Sequence, residues 1–376
     1  MVESGEFAFE GLRRWPDVEA PNLFAADAAD RLLLDTAAES AQLPGEIVVI
    51  GDNYGALTLG AAARFGVRDM RVHQDGLAGE RALAANAERF GMTDAYRSLD
   101  LVPELVRDAR TVLLRLPRSL DALEEIAECI AGNAHPDVTV YAGGMQKHLT
   151  TAMNEVLQRS FVSVRAGLAR QKARVLTVGG GVVAGAAGEW PRRQFDEELA
   201  LWVCAHGAAF AGTSVDIGTR FLLTVVEEAR PDASSAIDLG CGTGVIAAWL
   251  ARARPSIRVT ATDQSSAAVA SARETMRANG VDARVSVVRD DALSSQPDGS
   301  AELIVVNPPF HIGAAVHAGA ALRLFGDAAR VLAPGGELWA VWNSHLGYRG
   351  PLERIVGPTT QVARNPKFTV TKSVRR

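Results

Sequence analysis

The tetrapeptide Asn307-Pro308-Pro309-Phe310 sets two hydrogen-bond acceptors and an aromatic face next to one another. Its two prolines fix φ and carry no N–H, so the loop is stiff and the Pro308 carbonyl projects without a neighbouring donor competing for the same space. Asn307 adds a side-chain carbonyl beside it. A planar amino group has two hydrogens to give to such a pair, and a base carrying that amine can stack on Phe310. Hydrogen bonds that draw the nitrogen lone pair out of the ring and hold it in line with an electrophilic carbon would accelerate displacement. No strong general base is required, because the proton can leave after the new bond to nitrogen has formed. His311 is the nearest titratable group, and a loop histidine is more often structural than catalytic.

A second constellation lies upstream, in AIDLGCGTGVIAAWLA, where an apolar run ends at Asp238 and a DxGxGxG loop opens an amphipathic segment. Gly240, Gly242 and Gly244 allow a sharp turn and close approach of backbone to a ligand, and the helix start behind them presents unpaired N–H groups. A dinucleotide loop reads GxGxxG. Here the third glycine falls one residue early, with Val245 behind Gly244, which disfavours a nicotinamide oxidoreductase. Asp263 in VTATDQS ends the next apolar run and is placed to accept from ribose hydroxyls, and Asp291 in VVRDDAL follows a third run. The three acids would line the carboxyl edge of a parallel sheet, where ligands bind in this architecture.

This set of residues resembles the S-adenosylmethionine methyltransferases. The resemblance implies that the glycine loop faces the amino-acid moiety of the cofactor, Asp263 the ribose and Asp291 the adenine. It also places Asn307 against the cofactor, with Asn307, Pro308 and Phe310 as the catalytic group. NPPF alone is shared by DNA adenine, protein glutamine and rRNA guanine enzymes. The longer NPPFH, the segment VDIGTRFLL (215–223), NSHLGY and NPKFTVTK are similar to the rRNA guanine-N2 methyltransferases with two tandem methyltransferase-like domains, and the similarity covers nearly the whole chain. That family implies methyl transfer to the exocyclic N2 of a guanine turned out of its stack in ribosomal RNA. It also puts Gly218 and Thr219 over the cofactor. The C-terminal segments and the full length are more similar to the large-subunit (23S) branch than to the small-subunit (16S) branch; a resistance methyltransferase on the same plan would read alike. Glutamine and adenine acceptors stay open. So does a non-catalytic RNA-binding assembly factor, although intact Asp238, Gly242 and Asn307 oppose it.

The elements that must position these residues alternate in type. β-rich runs such as EIVVI, TVLLRL, SAIDLG, AELIVV and GELWAVW are separated by Ala-rich stretches of helical spacing, the pattern of βαβ units and parallel sheets. The two halves also align with each other. VVIGDNYGALTL, from Val48, lies on IDLGCGTGVIAA, RVHQD on RVTATD, and TVLLRLPRSL on ELIVVNPPFH; KHL matches SHL, and ARQKARVLTV matches ARNPKFTVTK. The expected fold is therefore α/β, two tandem Rossmann-like class I methyltransferase domains, with the glycine-rich stretch from Gly179 to Pro191 between them. Their expected limits are 1–185 and 195–376.

The first domain reads as degenerate. Val49 stands for Asp238, Asn53 for Gly242, Arg115 for Asn307 and Arg118 for Phe310. Arg115 and Arg118, with the downstream run that holds Lys147, Arg159, Arg165, Arg170, Lys172 and Arg174, suggest a module that binds the RNA backbone. Solvated helix faces would give a similar pattern.

Composition sets the remaining bounds. With 376 residues, 48% hydrophobic and 22% charged, the chain is long enough for two packed cores. A net charge of −5 requires any nucleic acid to be held by a local patch rather than by the whole surface. Cys129, Cys204 and Cys241 form no CxxC pair, so neither a disulfide framework nor a metal site is expected. The opening MVESGEFAFEGLRRWPD has acids where a secretory signal carries basic residues, and no apolar run reaches membrane length, so the expected compartment is the cytoplasm.

Overall fold

The computed structural model describes residues 7–39, 46–183, 188, 190–308 and 314–376, with the backbone alone for 314–318 and 320. The chain divides into two compact units, Met1–Trp190 and Pro191–Arg376. In the first, strands β1 (Ile47–Ile50), β2 (Met70–His73), β3 (Tyr96–Ser98), β4 (Thr111–Arg115), β5 (Thr139–Met145), β6 (Phe161–Ala166) and β7 (Ala173–Val182) form one sheet in the order β3-β2-β1-β4-β5-β7-β6. Helices α1 (Ala28–Ala38), α2 (Ala56–Phe65), α3 (Leu77–Phe90), α4 (Pro103–Val106), α5 (Leu120–Asn133) and α6 (Thr151–Ser160) cover its faces.

The second unit begins with a hairpin, β8 (Arg192–Asp196) and β9 (Leu201–Ala205). Its sheet holds β10 (Ser235–Leu239), β11 (Arg258–Asp263), β12 (Val285–Arg289), β13 (Ala301–Val306), β14 (Leu332–Asn343), β15 (Thr359–Arg364) and β16 (Phe368–Val374) in the order β12-β11-β10-β13-β14-β16-β15. The helices are α7 (Ile217–Leu223), α8 (Val245–Ala253), α9 (Ser266–Ala278), α10 (Ala314–Val331) and α11 (Arg349–Ile355). Counted within each unit, the two strand orders are the same, and the last two strands are antiparallel in both. Two doubly wound sheets of one topology are the structural form of the internal repeat.

The central strands are apolar at successive positions because both faces of each sheet are covered. In β13, Leu303 and Val305 enter the core shared with α8 and α9, whereas Ile304 and Val306 enter the one shared with α10 and α11. The same alternation in β4 sends Leu113 to one core and Val112 and Leu114 to the other. Asp238 is a buried charge inside such a strand, and that exception marks the site.

Strand registers correct the repeat by one residue in two places. Ile47 pairs with Thr111 and Ala236 with Leu303, so Thr111 stands at the level of Leu303 and not of Glu302. This register puts Arg115 at the position of Asn307. Ile50 pairs with His73 and Leu239 with Thr262, so Gln74 rather than Asp75 occupies the position of Asp263. The glycine-rich stretch is corrected as well: Gly179 to Val182 complete β7, and residues 184–187 and 189 lie outside the described residues. Among the described residues, no helix is long and apolar enough to cross a membrane.

Candidate active site

Asn307 follows the last residue of β13 at the carboxyl edge of the second sheet. Its Nδ2 donates to Asp216 Oδ2 at 2.9 Å and to Thr219 Oγ1 at 3.0 Å. Asp216 is the N-cap of α7, and the same Oδ2 accepts from the backbone N–H groups of Gly218 and Thr219. A carboxylate only accepts, so the amide nitrogen of Asn307 must face it and the carbonyl must face away. Asn307 Oδ1 is buried and has no hydrogen-bond partner among the described residues. An unpaired buried acceptor is costly in a resting protein and suits a ligand that brings a donor. Pro308 is buried beside it; Phe310 and His311 lie outside the described residues.

The glycine loop between β10 and α8 makes the second wall. Gly242 has φ +53°, and a Cβ added there would meet nothing within 4 Å, so its open side is free to receive a ligand. Gly240 is likewise open, at φ +70°, whereas a Cβ on Gly244 would lie 2.7 Å from Met276 Cε. The first two glycines leave room for a ligand, and the third lets α8 pack on α9. Asp238 Oδ2 accepts from Ala247 N at 3.0 Å, and its Oδ1 is buried without a hydrogen-bond partner among the described residues. Burial pushes the Asp238 carboxyl up to about 7, against the pull of the Ala247 N–H, with the nearby Asp263 charge adding to the rise. Two orphaned buried oxygens and an open cradle fit a cofactor that carries positive charge and hydrogen-bond donors.

The other acids divide their roles. Asp263 Oδ2 accepts from Gly242 N and Oδ1 from Ser265 N, both at 2.9 Å, which ties the loop to the end of β11. Asp290 is held by Ser294 and Ser295 as the cap of a turn. Asp291 is the acid that reaches Arg323 of α10, at 2.7 Å and 2.9 Å. Gly218 and Thr219, expected over the cofactor, serve Asn307 here: Thr219 holds its amide, and a Cβ on Gly218 would press on Asp216 Oδ2 at 2.9 Å and Phe368 Cε1 at 3.2 Å. Asp216 and Arg323 were not anticipated from the sequence; the signal for Asp216 was its N-cap position in VDIGTRFLL. Among the described residues, no group of three or more His, Cys, Asp and Glu is placed to hold a metal ion.

The first unit repeats this scaffold with the chemistry replaced. Asp27 caps α1 as Asp216 caps α7, accepting from Ala29 N and Asp30 N. Arg115, at the position of Asn307, donates to Asp27 at 2.7 Å and 3.0 Å and to Asp30 at 2.7 Å. Arg115 is therefore not the phosphate ligand expected from the sequence, because a guanidinium only 18% exposed is already occupied by two carboxylates. Burial pushes Asp30 up to about 7 even so. Val49 fills the place of Asp238 with a methyl-bearing core residue, and the helix amide that Asp238 would serve is served from Asp52, which accepts from Leu57 N and Thr58 N at 2.8 Å.

The other proposed RNA ligands are exposed. Arg118 and Lys147 are exposed and flank His148, which partial desolvation and their positive charges hold below its ordinary value. Lys172 is exposed beside them, its carbonyl bonded to Gln146 N. Arg170 is exposed and lies 3.5 Å from Glu39.

An open, mostly parallel sheet, a glycine loop at its first βα turn and an Asn at the end of its fourth strand define a class I methyltransferase, whose cofactor is S-adenosylmethionine. Comparison with known proteins agrees in both units. Residues 200–372 match the methyltransferase small domain, and residues 4–180 match the RLMG N-terminal domain. The chain is 36% identical over 377 residues to ribosomal RNA large subunit methyltransferase G of Streptomyces avermitilis, covering 97% of each. It is 35% identical to the protein of that name from Pseudomonas paraeruginosa, covering 98% of each. A 16S rRNA N2 methyltransferase of T. thermophilus, solved with AdoMet and guanosine, superposes with TM-score 0.73 at 20% identity over 96% of this chain and 97% of its own. The chain belongs to the family of ribosomal RNA large subunit methyltransferase G.

Three outcomes are expected. Asp238→Asn should melt higher than the parent at pH 8 and alike at pH 4, because a carboxyl raised from 3.8 to about 7 loses folded-state stability as pH rises through that interval. The parent's affinity for S-adenosylmethionine should fall as pH drops through about 7, and the variant's should be lower and flat; a parent affinity indifferent to pH contradicts this role. Thr219→Val should lower kcat about tenfold, the worth of one hydrogen bond that holds Asn307 in its orientation, with cofactor Kd unchanged in calorimetry. A raised cofactor Kd would return Thr219 to the cofactor contact first expected. Arg115→Ala should destabilise the first unit by about 3 kcal/mol in denaturant melts, since it strands the buried Asp30 carboxyl; unchanged stability with weakened RNA binding would restore the phosphate role.

Proposed function

We propose that this protein transfers a methyl group from S-adenosylmethionine to the exocyclic N2 of a guanine in the ribosomal RNA of the large subunit, acting in the cytoplasm. The observation that carries the reading is the buried, partnerless Oδ1 of Asn307, whose orientation is fixed by Asp216 and Thr219. Curated relatives named for the large ribosomal subunit support the substrate, and a neighbour of the same two-unit fold is an N2 methyltransferase solved with guanosine.

When bound, S-adenosylmethionine supplies a methyl group activated by its sulfonium charge. Gly240 and Gly242 leave the room in which it is held, Asp238 faces its positive charge, and Asp263 and Asp291 stand at the strand ends for ribose and adenine. Asn307 Oδ1 accepts one hydrogen of the amine and the Pro308 carbonyl the other, which turns the nitrogen lone pair out of the ring and toward the methyl group. Phe310 stacks the base. Among the described residues the carboxylate beside Asn307, Asp216, is taken up by the Asn307 amide and by the Gly218 and Thr219 N–H groups, so the amine proton leaves after transfer, while Asn307 still holds the nitrogen.

The first unit, in this reading, holds the RNA by its backbone through Arg118, Lys147, Arg170 and Lys172. Labelled methyl transfer to deproteinised large- and small-subunit rRNA from cells lacking the protein, followed by nucleoside analysis, tests the whole. N2-methylguanosine in the large-subunit RNA alone is the expected result; label in small-subunit RNA, or in a different nucleoside, would overturn the assignment.

A further inference from the structure

The first unit carries a second concave site, on the segment that leads into α1. Residues 9–31 enclose a bowl of about 560 Å³, with Phe9, Leu12, Phe24 and Ala26 as apolar lining and Arg13 and Glu19 among its polar groups. The segment is pinned in place. Asn86 of α3 accepts from Arg13 N at 2.9 Å and donates to the Arg13 carbonyl at 2.8 Å, and Tyr54 Oη donates to Asp17 Oδ2 at 2.6 Å. The bowl is thus a preformed feature of the fold.

Its charges are unevenly matched. Arg14 pairs with Asp17, and Arg31 pairs with Glu10 while lying 4.5 Å over the Phe9 ring. The Arg13 guanidinium is exposed and has no ion-pair partner among the described residues. Phe24 is 73% exposed, and Trp15 on the same segment is 64% exposed. Asp27, which follows the bowl residue Ala26, accepts from Arg115, three residues ahead of the exposed Arg118.

We propose that this bowl takes an unstacked nucleobase of the ribosomal RNA, with Phe24 as its stacking platform and Arg13 on the adjoining phosphate; the inference rests on the RNA reading above. A phosphate alone would need no apolar lining. An apolar protein anchor would bury the Arg13 guanidinium without a partner, which is costly. An exposed aromatic face beside an exposed guanidinium is the composition that holds single-stranded nucleic acid. The degenerate half would then do more than follow the backbone: it would select RNA that offers a splayed base in addition to the methylated one.

The test compares the parent with Phe24→Ala and Arg13→Ala, two exposed positions whose loss leaves the core intact, with thermal melts to confirm folding. Binding is measured to deproteinised large-subunit rRNA and to a fully duplex RNA of similar length, and S-adenosylmethionine affinity is measured by calorimetry. Phe24→Ala should raise the Kd for the rRNA about fivefold to a hundredfold, the range of one base stacked on an aromatic ring. Duplex binding and cofactor affinity should stay unchanged, and Arg13→Ala should weaken rRNA binding in the same direction. An rRNA Kd within twofold of the parent for Phe24→Ala overturns the proposal, as does an equal loss on duplex RNA. If the parent itself neither binds nor methylates any rRNA, the RNA reading falls and takes this inference with it, an outcome distinct from a parent that binds and a variant that does not differ.

Discussion

Asp216 and Asn307 are 91 residues apart in sequence and 2.9 Å apart in space, and the orientation of the Asn307 amide turns on that contact. An asparagine amide can present either end to a substrate. Facing a carboxylate, it can present only its oxygen, and an oxygen is what a reacting amine needs. The rest of the unit serves to keep the pair in register: β13 delivers Asn307 to the sheet edge, α7 begins at Asp216, and Gly218 has no Cβ to push the carboxylate away. Phe368, from the start of β16, closes the space behind Gly218. A small helix cap therefore doubles as the support of the Asn307 amide.

The first unit shows what the same scaffold becomes when its chemistry is removed. The capping aspartate and the strand-end position are both kept, but a guanidinium replaces the amide and an aspartate replaces the threonine, giving a closed ion-pair cluster. Val49 removes the buried charge from the central strand, and Asp52 takes over the helix amides from within the loop. Tyr54 fills the loop further, its ring under the Arg14 guanidinium at 4.5 Å. In the first unit the guanidinium and the helix amides at these positions are partnered from within the protein.

Much of this was legible in the sequence because it depends on local pattern. The β-rich runs, the glycine loop and NPPF are contiguous, and the repeat preserves their order, so fold class, tandem arrangement and the Asn307 edge could all be read. Partnerships across the sheet could not. Nothing in VDIGTRFLL says that its aspartate reaches Asn307, and nothing in LLRLPRS says that Arg115 turns inward to Asp27 and Asp30 and not outward to phosphate. A charge run records composition and leaves direction open. The one-residue slips at Glu302 and Asp75 arose because strand register is set by pairing with β1 and β10, which residue matching does not see. In VVRDDAL the two acids are equivalent as letters, and only the serines after them and Arg323 on α10 separate a turn cap from the partner of an arginine.

The most direct measurement is a double-mutant cycle between Asp216 and Asn307, read as single-turnover methyl transfer to large-subunit rRNA, with folding of each variant checked by melting. If Asp216 acts by orienting Asn307, Asp216→Ala should slow transfer strongly in the parent and hardly at all in the Asn307→Ala background, so that the two losses do not add. Fully additive losses would contradict the account, since Asp216 would then act on the reaction independently of the side chain it is held to support.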